Sequence, residues 1–247
     1  MNEVIRQLYE RKSVRAFTDQ DIDEKIVQEI LTAAAMAPTA GNQQLYSIIR
    51  VTDPQIKEAL SESCDHQPFI AKGKLVLVFC ADCLKWYDAY SYEGCQPRKP
   101  GPGDLMIAVD DALIAAQNAV TAAWSYGIGS CYIGDIMENI ERQREILGLP
   151  DYVFPAALLV FGYPTKQQAD RKKPERASLE YIVSENKYQR LDRDQLKKAI
   201  MKGNKKESYE SWLQAFCKRK YQSDFAVEMS RSVNRYLDQY REEESIS

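Results

Sequence analysis

The stretch DALIAAQNAVTAAWSYGIGSCYIGDI, residues 111–136, contains the two elements that decide the fold. Its first part carries small apolar residues on nearly all sides, which is typical of a helix buried in a core. Gly127 predicts the end of that helix, because glycine readily adopts the backbone conformation that closes a C-terminus. The remainder predicts a short strand in which glycine recurs. We therefore expect a buried helix that leads directly into a strand.

Three other stretches predict further strands. KLVLVFC (74–80) is a continuous apolar run, as expected for a strand that is buried on both faces. YSIIRV (46–51) precedes this run, and PAALLVFGYP (155–164) is predicted to be the last strand of the core. Apolar periodicity and capping residues predict helices at residues 2–10, from Asp21 or Asp23 to about residue 36, from Pro54, from Asp104 to about residue 125, and over ENIERQREIL before Gly148.

The chain after residue 165 becomes polar and basic and then predicts three helices, near residues 192–202, 206–219 and 222–240. The last helix has an apolar stripe that requires a surface to pack against. The stripe consists of Phe225, Met229, Val233, Tyr236, Leu237 and Tyr240. We interpret the chain as a single α+β domain. It has a core over residues 1–190 and a helical C-terminal extension over residues 191–247, packed on the core or on a partner subunit.

The composition limits the classes of partner. The 247 residues are 45% hydrophobic and 28% charged, with a net charge of −3. They show no concentrated basic face of the kind that nucleic acids or anionic membranes require. No apolar run approaches the roughly 20 residues of a membrane-spanning helix, and the start, MNEVIRQLYERK, carries charges where a signal peptide is apolar. We expect a soluble, cytoplasmic protein without a nucleic-acid or membrane partner.

The six cysteines include one C-x-x-C pair, Cys80 and Cys83. Such pairs occur in redox-active dithiols and in zinc sites. The chain has a single histidine and no second C-x-x-C to complete a tetrahedral zinc site. Cys80 also ends an apolar run, so we favour small buried side chains and predict no metal site.

Two basic clusters lie far apart in the sequence. Arg11-Lys12-Ser13-Val14-Arg15 places three cations and a hydroxyl within five residues, and Lys172-Lys173-Pro174-Glu175-Arg176 follows the last core strand. Forked cationic donors suit a dianionic phosphate, although each cluster by itself also fits a solvated turn.

Two other segments can border a flat heterocycle. Residues 39–44 offer hydroxyl and amide groups, and the glycine-rich residues 127–134 allow close approach of the backbone.

Other candidate groups give weaker signals. His66 is the only histidine and lies on a polar loop, where an incidental role is more common than that of a base. Ser130 does not lie in G-x-S-x-G, so hydrolase chemistry is unsupported. Residues 88–103 are rich in Gly, Pro and Tyr and predict a loop. This loop is either a surface excursion or a mobile wall of a substrate site, with Tyr87, Tyr90 and Tyr92 available for stacking.

Taken together, these motifs resemble the FMN-dependent nitroreductase family. The matching segments are RKSVRAF, AAMAPTAGNQQ with YSIIRV, HQPFI, the stretch quoted first, VFGYP and KKPER, and they follow the family's order across residues 1–190. The chain is most similar to the larger branch with a helical C-terminal extension, which includes NADPH-dependent nitroreductases and flavin reductases. The resemblance implies a central mixed β-sheet flanked by helices, in an intertwined homodimer that binds FMN at its interface.

The resemblance also implies site residues. Arg11, Lys12, Ser13 and Arg15 match the segment that binds the FMN phosphate and ribityl chain. Lys173 and Arg176 match a late basic pair on the phosphate, although the intervening Glu175 leaves open whether Lys172 or Arg176 completes that pair. The positions matched to the flavin ring or its ribityl tail are Thr39, Asn42, Gln44, Gln67, Tyr132, Ile133 and Gly134.

The activity that this resemblance implies is hydride transfer from NAD(P)H through bound FMN to a nitroaromatic, a quinone or a similar electron-poor small molecule. Two alternatives are a flavin reductase that releases reduced FMN and a flavin-binding redox sensor without turnover. No catalytic side chain is assigned, because the flavin carries the chemistry. The physiological acceptor and the preference for NADH or NADPH stay open.

Overall fold

The structure is a computed structural model that describes residues 1–200 and 208–241. The α-helices are α1 Glu3–Glu10, α2 Glu24–Ala35, α3 Pro54–Ser63, α4 Leu84–Tyr92, α5 Pro102–Ser125, α6 Ile140–Leu147, α7 Lys166–Asp170, α8 Arg193–Ile200, α9 Tyr209–Lys220 and α10 Asp224–Asp238. The strands are β1 Tyr46–Arg50, β2 Leu75–Asp82, β3 Gly129–Ile133 and β4 Val153–Gly162. The predicted helices and strands are confirmed with shifted ends. The predicted helices near 192–202 and 206–219 extend into residues 201–207, outside the described residues.

The four strands form one sheet in the order β1-β2-β4-β3, and every neighbouring pair runs antiparallel. This corrects the mixed sheet that the resemblance implied. The N-terminal segment contacts the described sheet at isolated points, a parallel bridge from Ser13 to Ser130 and an antiparallel bridge from Phe17 to Pro164. Because these points form no continuous ladder, the segment adds no parallel strand.

Strands β2 and β4 are buried along their whole length, as the apolar runs predicted. Helix α5 packs on one face of both strands. Its inward residues are small, and Ala108, Ala112 and Ala115 are fully buried, which lets the helix lie close to the sheet. By length and composition alone α5 could cross a membrane, a test that the core helix of a soluble protein also passes.

Helix α5 begins two residues before the predicted start at Asp104. Pro102 occupies the first turn, where its missing N–H costs nothing. The carboxylate of Asp104 accepts a hydrogen bond from the N–H of Gly101 at 2.7 Å and so caps the helix. Asp104 is therefore the third helical residue and not the first.

The predicted loop over residues 88–103 is wrong at both ends, because residues up to Tyr92 belong to α4 and Pro102 and Gly103 belong to α5. Oδ1 of Asp82 accepts hydrogen bonds from the N–H groups of Leu84 and Lys85, at 3.1 and 3.2 Å, which satisfies the first turn of the helix. Trp86 and Tyr90 pair one turn apart, with ring centres separated by 5.5 Å. Residues 93–101 form neither helix nor strand.

The chain divides into two compact units, Met1–Arg171 with Glu228–Ser247, and Lys172–Val227. In the first unit the end of α10 packs into the core. Tyr236 packs edge-on against Phe154 with ring centres 4.9 Å apart. This part of the predicted apolar stripe therefore packs against the core, as expected. In the second unit Trp212 stacks on Phe216 within α9 at 5.0 Å. The predicted boundary at residue 190 falls inside the second unit.

Candidate active site

The basic segment at residues 11–15 lies along the edge of the sheet next to β3. The N–H of Val14 donates to the carbonyl oxygen of Ser130 at 2.9 Å. Gly129 permits this close approach, since a Cβ atom there would lie 2.5 Å from Cγ2 of Val14. The structure therefore brings two of the predicted site segments together, the basic motif and the glycine-rich strand.

Two arginines give this edge a positive potential. The guanidinium of Arg11 lies 5.9 Å from the ring centre of Tyr132, a cation–π distance. Burial raises the pKa of the Cys131 thiol, and the positive charges of Arg15 and Arg11 oppose that rise. Both arginines thus act on Cys131 of β3, and Arg11 also contacts Tyr132. Arg15 itself is exposed and accessible to an anion.

A turn at the end of α7 supports the basic segment from the other side. Nζ of Lys12 donates to the carbonyl oxygen of Ala169 at 2.5 Å and to that of Arg171. Nη2 of Arg171 donates in return to the carbonyl oxygen of Ser13 at 2.5 Å. Lys12 therefore joins the segment to the turn, and Arg171 adds a cation beside Ser13. Arg171 was not predicted from the sequence, although it directly precedes the basic cluster that begins at Lys172.

Lys173 and Arg176 belong to the second compact unit, Lys172–Val227. Lys173 is half-buried, and Arg176 is exposed. Their contact with a phosphate stays a prediction, and so does the choice between Lys172 and Arg176.

Gln67 follows a strained turn after α3. The two residues before it have φ values of 59° and 50°, in the left-handed region that costs non-glycine residues roughly 1 kcal/mol or more each. Nε2 of Gln67 donates to the carbonyl oxygen of Cys64 at 2.8 Å and to Oδ2 of Asp135 at 3.0 Å. Because Asp135 directly follows Gly134, the turn places Gln67 beside the end of β3.

The segment over residues 39–44 is anchored on α5. The carboxylate of Asp111 accepts hydrogen bonds from the N–H of Ala40 at 2.9 Å and from the N–H of Leu45 at 3.2 Å. Asp111 is 3% exposed, so this buried charge is held by the backbone that it organises. Oγ1 of Thr39 also accepts from the N–H of Gln44 at 3.2 Å. Asp111 was missed, although a carboxylate within an apolar helix was a visible signal.

Helix α4 holds the same segment from the other side. Nε1 of Trp86 donates to the carbonyl oxygen of Gln43 at 2.7 Å, and Nζ of Lys85 donates to that of Gln44 at 3.2 Å. Asn42 and Gln44 are exposed and have φ values of 56° and 52°. Their side chains are therefore carried on a rigid, outward-facing turn.

A cavity of about 380 Å³ lies between α4 and residues 93–101. Tyr87 and Tyr90 line it, as does Gln43 of the anchored segment, whereas Tyr92 is 81% exposed and is not part of the lining. Arg98 closes one side through an ion pair with Asp104 at 2.5 Å. The cavity has the aromatic walls that a flat ligand requires.

The remaining nucleophile and metal candidates are poorly placed for chemistry. Burial raises the pKa of both Cys80 and Cys83 to about 12, so their thiols stay protonated. Ser130 is 1% exposed, and His66 lies on the surface. The residues that the structure describes contain no group of three or more His, Cys, Asp or Glu side chains that could hold a metal ion.

Comparison with known proteins shows where these features recur. The sequence model described as "Nitroreductase family" matches residues 8–163. A relative from Bacillus subtilis (strain 168), named FMN reductase (NADPH), is 34% identical over 190 residues, which are 76% of this chain and 75% of the relative. A second relative from the same organism, named FMN reductase (NAD(P)H), is 30% identical over 242 residues, 96% of this chain and 92% of the relative.

Solved structures share the fold. The NfrA1 nitroreductase from B. subtilis superposes with a TM-score of 0.81 at 28% identity, covering 96% of this chain and 98% of that chain. The NADPH:FMN oxidoreductase from Vibrio harveyi, solved as a complex with NAD+, gives a TM-score of 0.77 at 26% identity, with 96% and 98% covered. The segment matched by the family model contains residues 11–15, 39–44, 67 and 132–134 of the site described above.

Proposed function

Because the chain belongs to the nitroreductase family, we propose that it binds FMN and passes hydride from NAD(P)H through it to an electron-poor acceptor. The observation that carries this proposal is the meeting of three basic side chains with β3, since Arg11, Arg15 and Arg171 all converge on the strand or on Ser13. When bound, FMN supplies the redox centre that exchanges hydride with the nicotinamide and the acceptor.

The donor set of this edge fits a phosphate monoester. Guanidinium groups donate in forked pairs to phosphate oxygens, and a hydroxyl at Ser13 adds a further donor. The close contact of Gly129 with Val14 fixes the spacing of these donors before any ligand arrives. Preorganised donors lose little conformational entropy on binding, so the phosphate is the natural anchor of the cofactor.

The end of β3 fits the flavin ring. Strand β3 lies at the edge of the sheet, where one side of a strand has no strand partner, and Gly134 directly follows its last residue. Gln67, held beside Asp135, supplies a side-chain amide to the same place. We assign these four residues to the ring and the adjoining ribityl chain.

Thr39, Asn42 and Gln44 are anchored elsewhere, on Asp111 and on α4. We propose that a second copy of the chain brings this segment to the flavin. An exposed apolar face supports the homodimer, because Val4 on α1 and Met106, Leu113 and Ile114 on α5 are between 38% and 60% exposed. Clustered apolar residues of this kind mark protein interfaces, and those of obligate dimers resemble a domain core cut in half.

The aromatic cavity beside Gln43 is the proposed acceptor site. Nitroaromatics and quinones are flat and electron-poor, so they stack well on the electron-rich faces of tyrosine. Tyr87→Ala and Tyr90→Ala should change the ratio of kcat/KM between a nitroaromatic and a quinone while FMN stays bound. Tyr92→Ala is the matched control, since Tyr92 does not line the cavity. An unchanged ratio in both cavity variants would place acceptor selection elsewhere.

A second function, reduction and release of free FMN, is favoured by the names of the two B. subtilis relatives, both FMN reductases. The two functions differ in the lifetime of the complex with reduced FMN. An enzyme that keeps FMN bound should hand its electrons to a nitroaromatic without exchange with free flavin. Rapid exchange of bound FMN against a labelled analogue during turnover would instead identify a flavin reductase.

The experiment that tests the cofactor compares FMN with riboflavin, which lacks the phosphate. We expect near one FMN per chain and much weaker binding of riboflavin. Arg15→Ala should raise the Kd for FMN roughly ten- to a hundred-fold, the usual effect of losing a charge-assisted contact. Arg142→Ala removes an arginine from a surface ion pair on α6 and is the control. Equal affinity for FMN and riboflavin would contradict the proposal.

A further inference from the structure

Four carboxyl side chains lie behind Gln67, and we call them the acid cluster: Asp65, Asp135, Glu138 and Glu228. Glu138 is only 5% exposed, and its Oε1 is buried without a hydrogen-bond partner among the described residues. Burial, together with the negative charges of the other three members, raises the pKa of Glu138 to about 7. A buried carboxyl in this setting keeps its proton to a higher pH than an exposed one, because its ionised form would be neither solvated nor paired.

Two other members of the acid cluster, Asp135 and Glu228, accept hydrogen bonds that stabilise their negative charges. Glu228 accepts hydrogen bonds from the N–H of Asn139 at 3.0 Å and from the hydroxyl of Ser232 at 2.7 Å. Hydrogen bonds from Arg231 lower the pKa of Glu228 to about 2. Asp135 accepts from the amide of Gln67. Glu138 is the member that holds the proton, since donors support the charges of Asp135 and Glu228.

Asp135 also decides which atom Gln67 offers to a ligand. The two N–H bonds of Nε2 are directed to the carbonyl oxygen of Cys64 and to Asp135. The amide oxygen is then the group that Gln67 presents, and it accepts hydrogen bonds only. An acceptor suits the ring N–H of the flavin or a ribityl hydroxyl, which both donate.

We propose that Asp135 is a positioning residue that fixes the amide of Gln67 with its oxygen toward the flavin, and that Glu138 stores the proton that keeps Asp135 in place. Loss of that proton puts a buried negative charge next to Asp135 and drives the two carboxylates apart. Gln67 then loses its anchor, and FMN is held less tightly. This inference rests on the proposed function, because it acts through a contact with FMN.

The test is the Kd for FMN at pH 6 and pH 8, measured by flavin fluorescence in the full-length protein. If only the protonated form of Glu138 is competent, the competent fraction falls from about nine-tenths to about one-tenth, and the Kd rises about tenfold. Glu138→Gln keeps the shape without the titration, so its Kd should lack this rise. The FMN phosphate titrates in the same pH range and affects both proteins. The tenfold change between pH 6 and pH 8 is therefore expected in the Kd of wild type divided by the Kd of Glu138→Gln.

Asp135 is tested with a matched pair of variants. Asp135→Asn retains an oxygen that accepts from Gln67 and should bind FMN nearly as wild type does at pH 6. Asp135→Ala removes the acceptor and should raise the Kd about tenfold, a typical effect of losing one hydrogen bond to a charged group. Thermal unfolding of each variant without FMN shows whether the variant still folds. If Asp135→Ala does not fold, the FMN affinities of Asp135→Asn and Glu138→Gln test the proposal instead.

The outcomes separate this inference from the proposed function. A wild-type protein that binds no FMN at any pH overturns both. A protein that binds FMN, with parallel pH profiles for wild type and Glu138→Gln, overturns the proton store alone. Wild-type affinity in a folded Asp135→Ala overturns the positioning role of Asp135.

Discussion

Replacing Gly129 with alanine should weaken both folding and cofactor binding. The added Cβ atom would lie 2.5 Å from Cγ2 and 2.7 Å from Cβ of Val14, distances that atoms in proteins do not adopt. Val14 must therefore move, and it lies within the basic segment, next to Arg15. The hydrogen bond from its N–H to Ser130, 2.9 Å long, is expected to break or lengthen. Overpacking of this kind costs about 1–3 kcal/mol of folding free energy.

The effect on FMN binding should be similar in free energy to the effect on stability, since a ten- to a hundred-fold change in affinity is about 1.4–2.8 kcal/mol. Displacement of Val14 moves Arg11 and Arg15 away from the phosphate, and losing one such contact weakens binding roughly ten- to a hundred-fold. Denaturant unfolding and FMN titration measure the two effects on the same variant. Gly103→Ala is the control, because no atom lies within 4 Å of its added Cβ atom, and a helical alanine should stabilise by about 0.5–1 kcal/mol. Wild-type FMN affinity in Gly129→Ala would refute the reasoning.

Three further predictions concern other parts of the molecule. Tyr236→Ala should destabilise the protein by about 3–5 kcal/mol, since it leaves a cavity against Phe154; a loss below 1 kcal/mol in denaturant unfolding would show that α10 does not contribute to the core. In the folded chain the pKa of Glu138 is about 7, above its ordinary value. Its protonated carboxyl therefore contributes stability at low pH, and this contribution is lost as the pH rises from about 4.5 through 7. The free energy of unfolding of the wild type should therefore fall over that pH range by at most about 3 kcal/mol relative to that of Glu138→Gln. If the two proteins lose stability with pH at the same rate, the raised pKa of Glu138 is excluded. Leu113→Arg on the exposed face of α5 should yield a monomer by light scattering and should bind FMN more weakly in a titration. Tyr92→Arg, on α4, is the control and should change neither property. A Leu113→Arg protein that stays dimeric and binds FMN fully would show that this face is not the interface.

Much of the fold could be predicted because its elements carry local signals. The apolar run at 74–80 and the alanine-rich helix both have patterns that burial alone explains. The helix α4 was missed because its start depends on the carboxylate of Asp82, and tyrosine and glycine nearby favour a loop by composition. Caps formed by a side chain outside the helix leave little trace in apolar periodicity.

The site was predictable only in part. Arg11, Arg15 and Gly129 belong to short motifs, and the structure brings these motifs together. Arg171 and Asp135 were not found, because their roles depend on contacts between segments distant in the chain. The raised pKa of Glu138 likewise arises from burial and from three nearby carboxylates, and only the folded chain provides both.

The central claim is that this chain holds FMN and reduces it with a nicotinamide. The direct measurement is the visible absorbance of the FMN-loaded protein during anaerobic titration with NADPH and, separately, with NADH. The account predicts that one equivalent of at least one nicotinamide bleaches the bound flavin, and that a nitroaromatic or quinone then restores its colour. A protein that takes up no FMN, or whose bound FMN stays oxidised with both nicotinamides, would contradict the account.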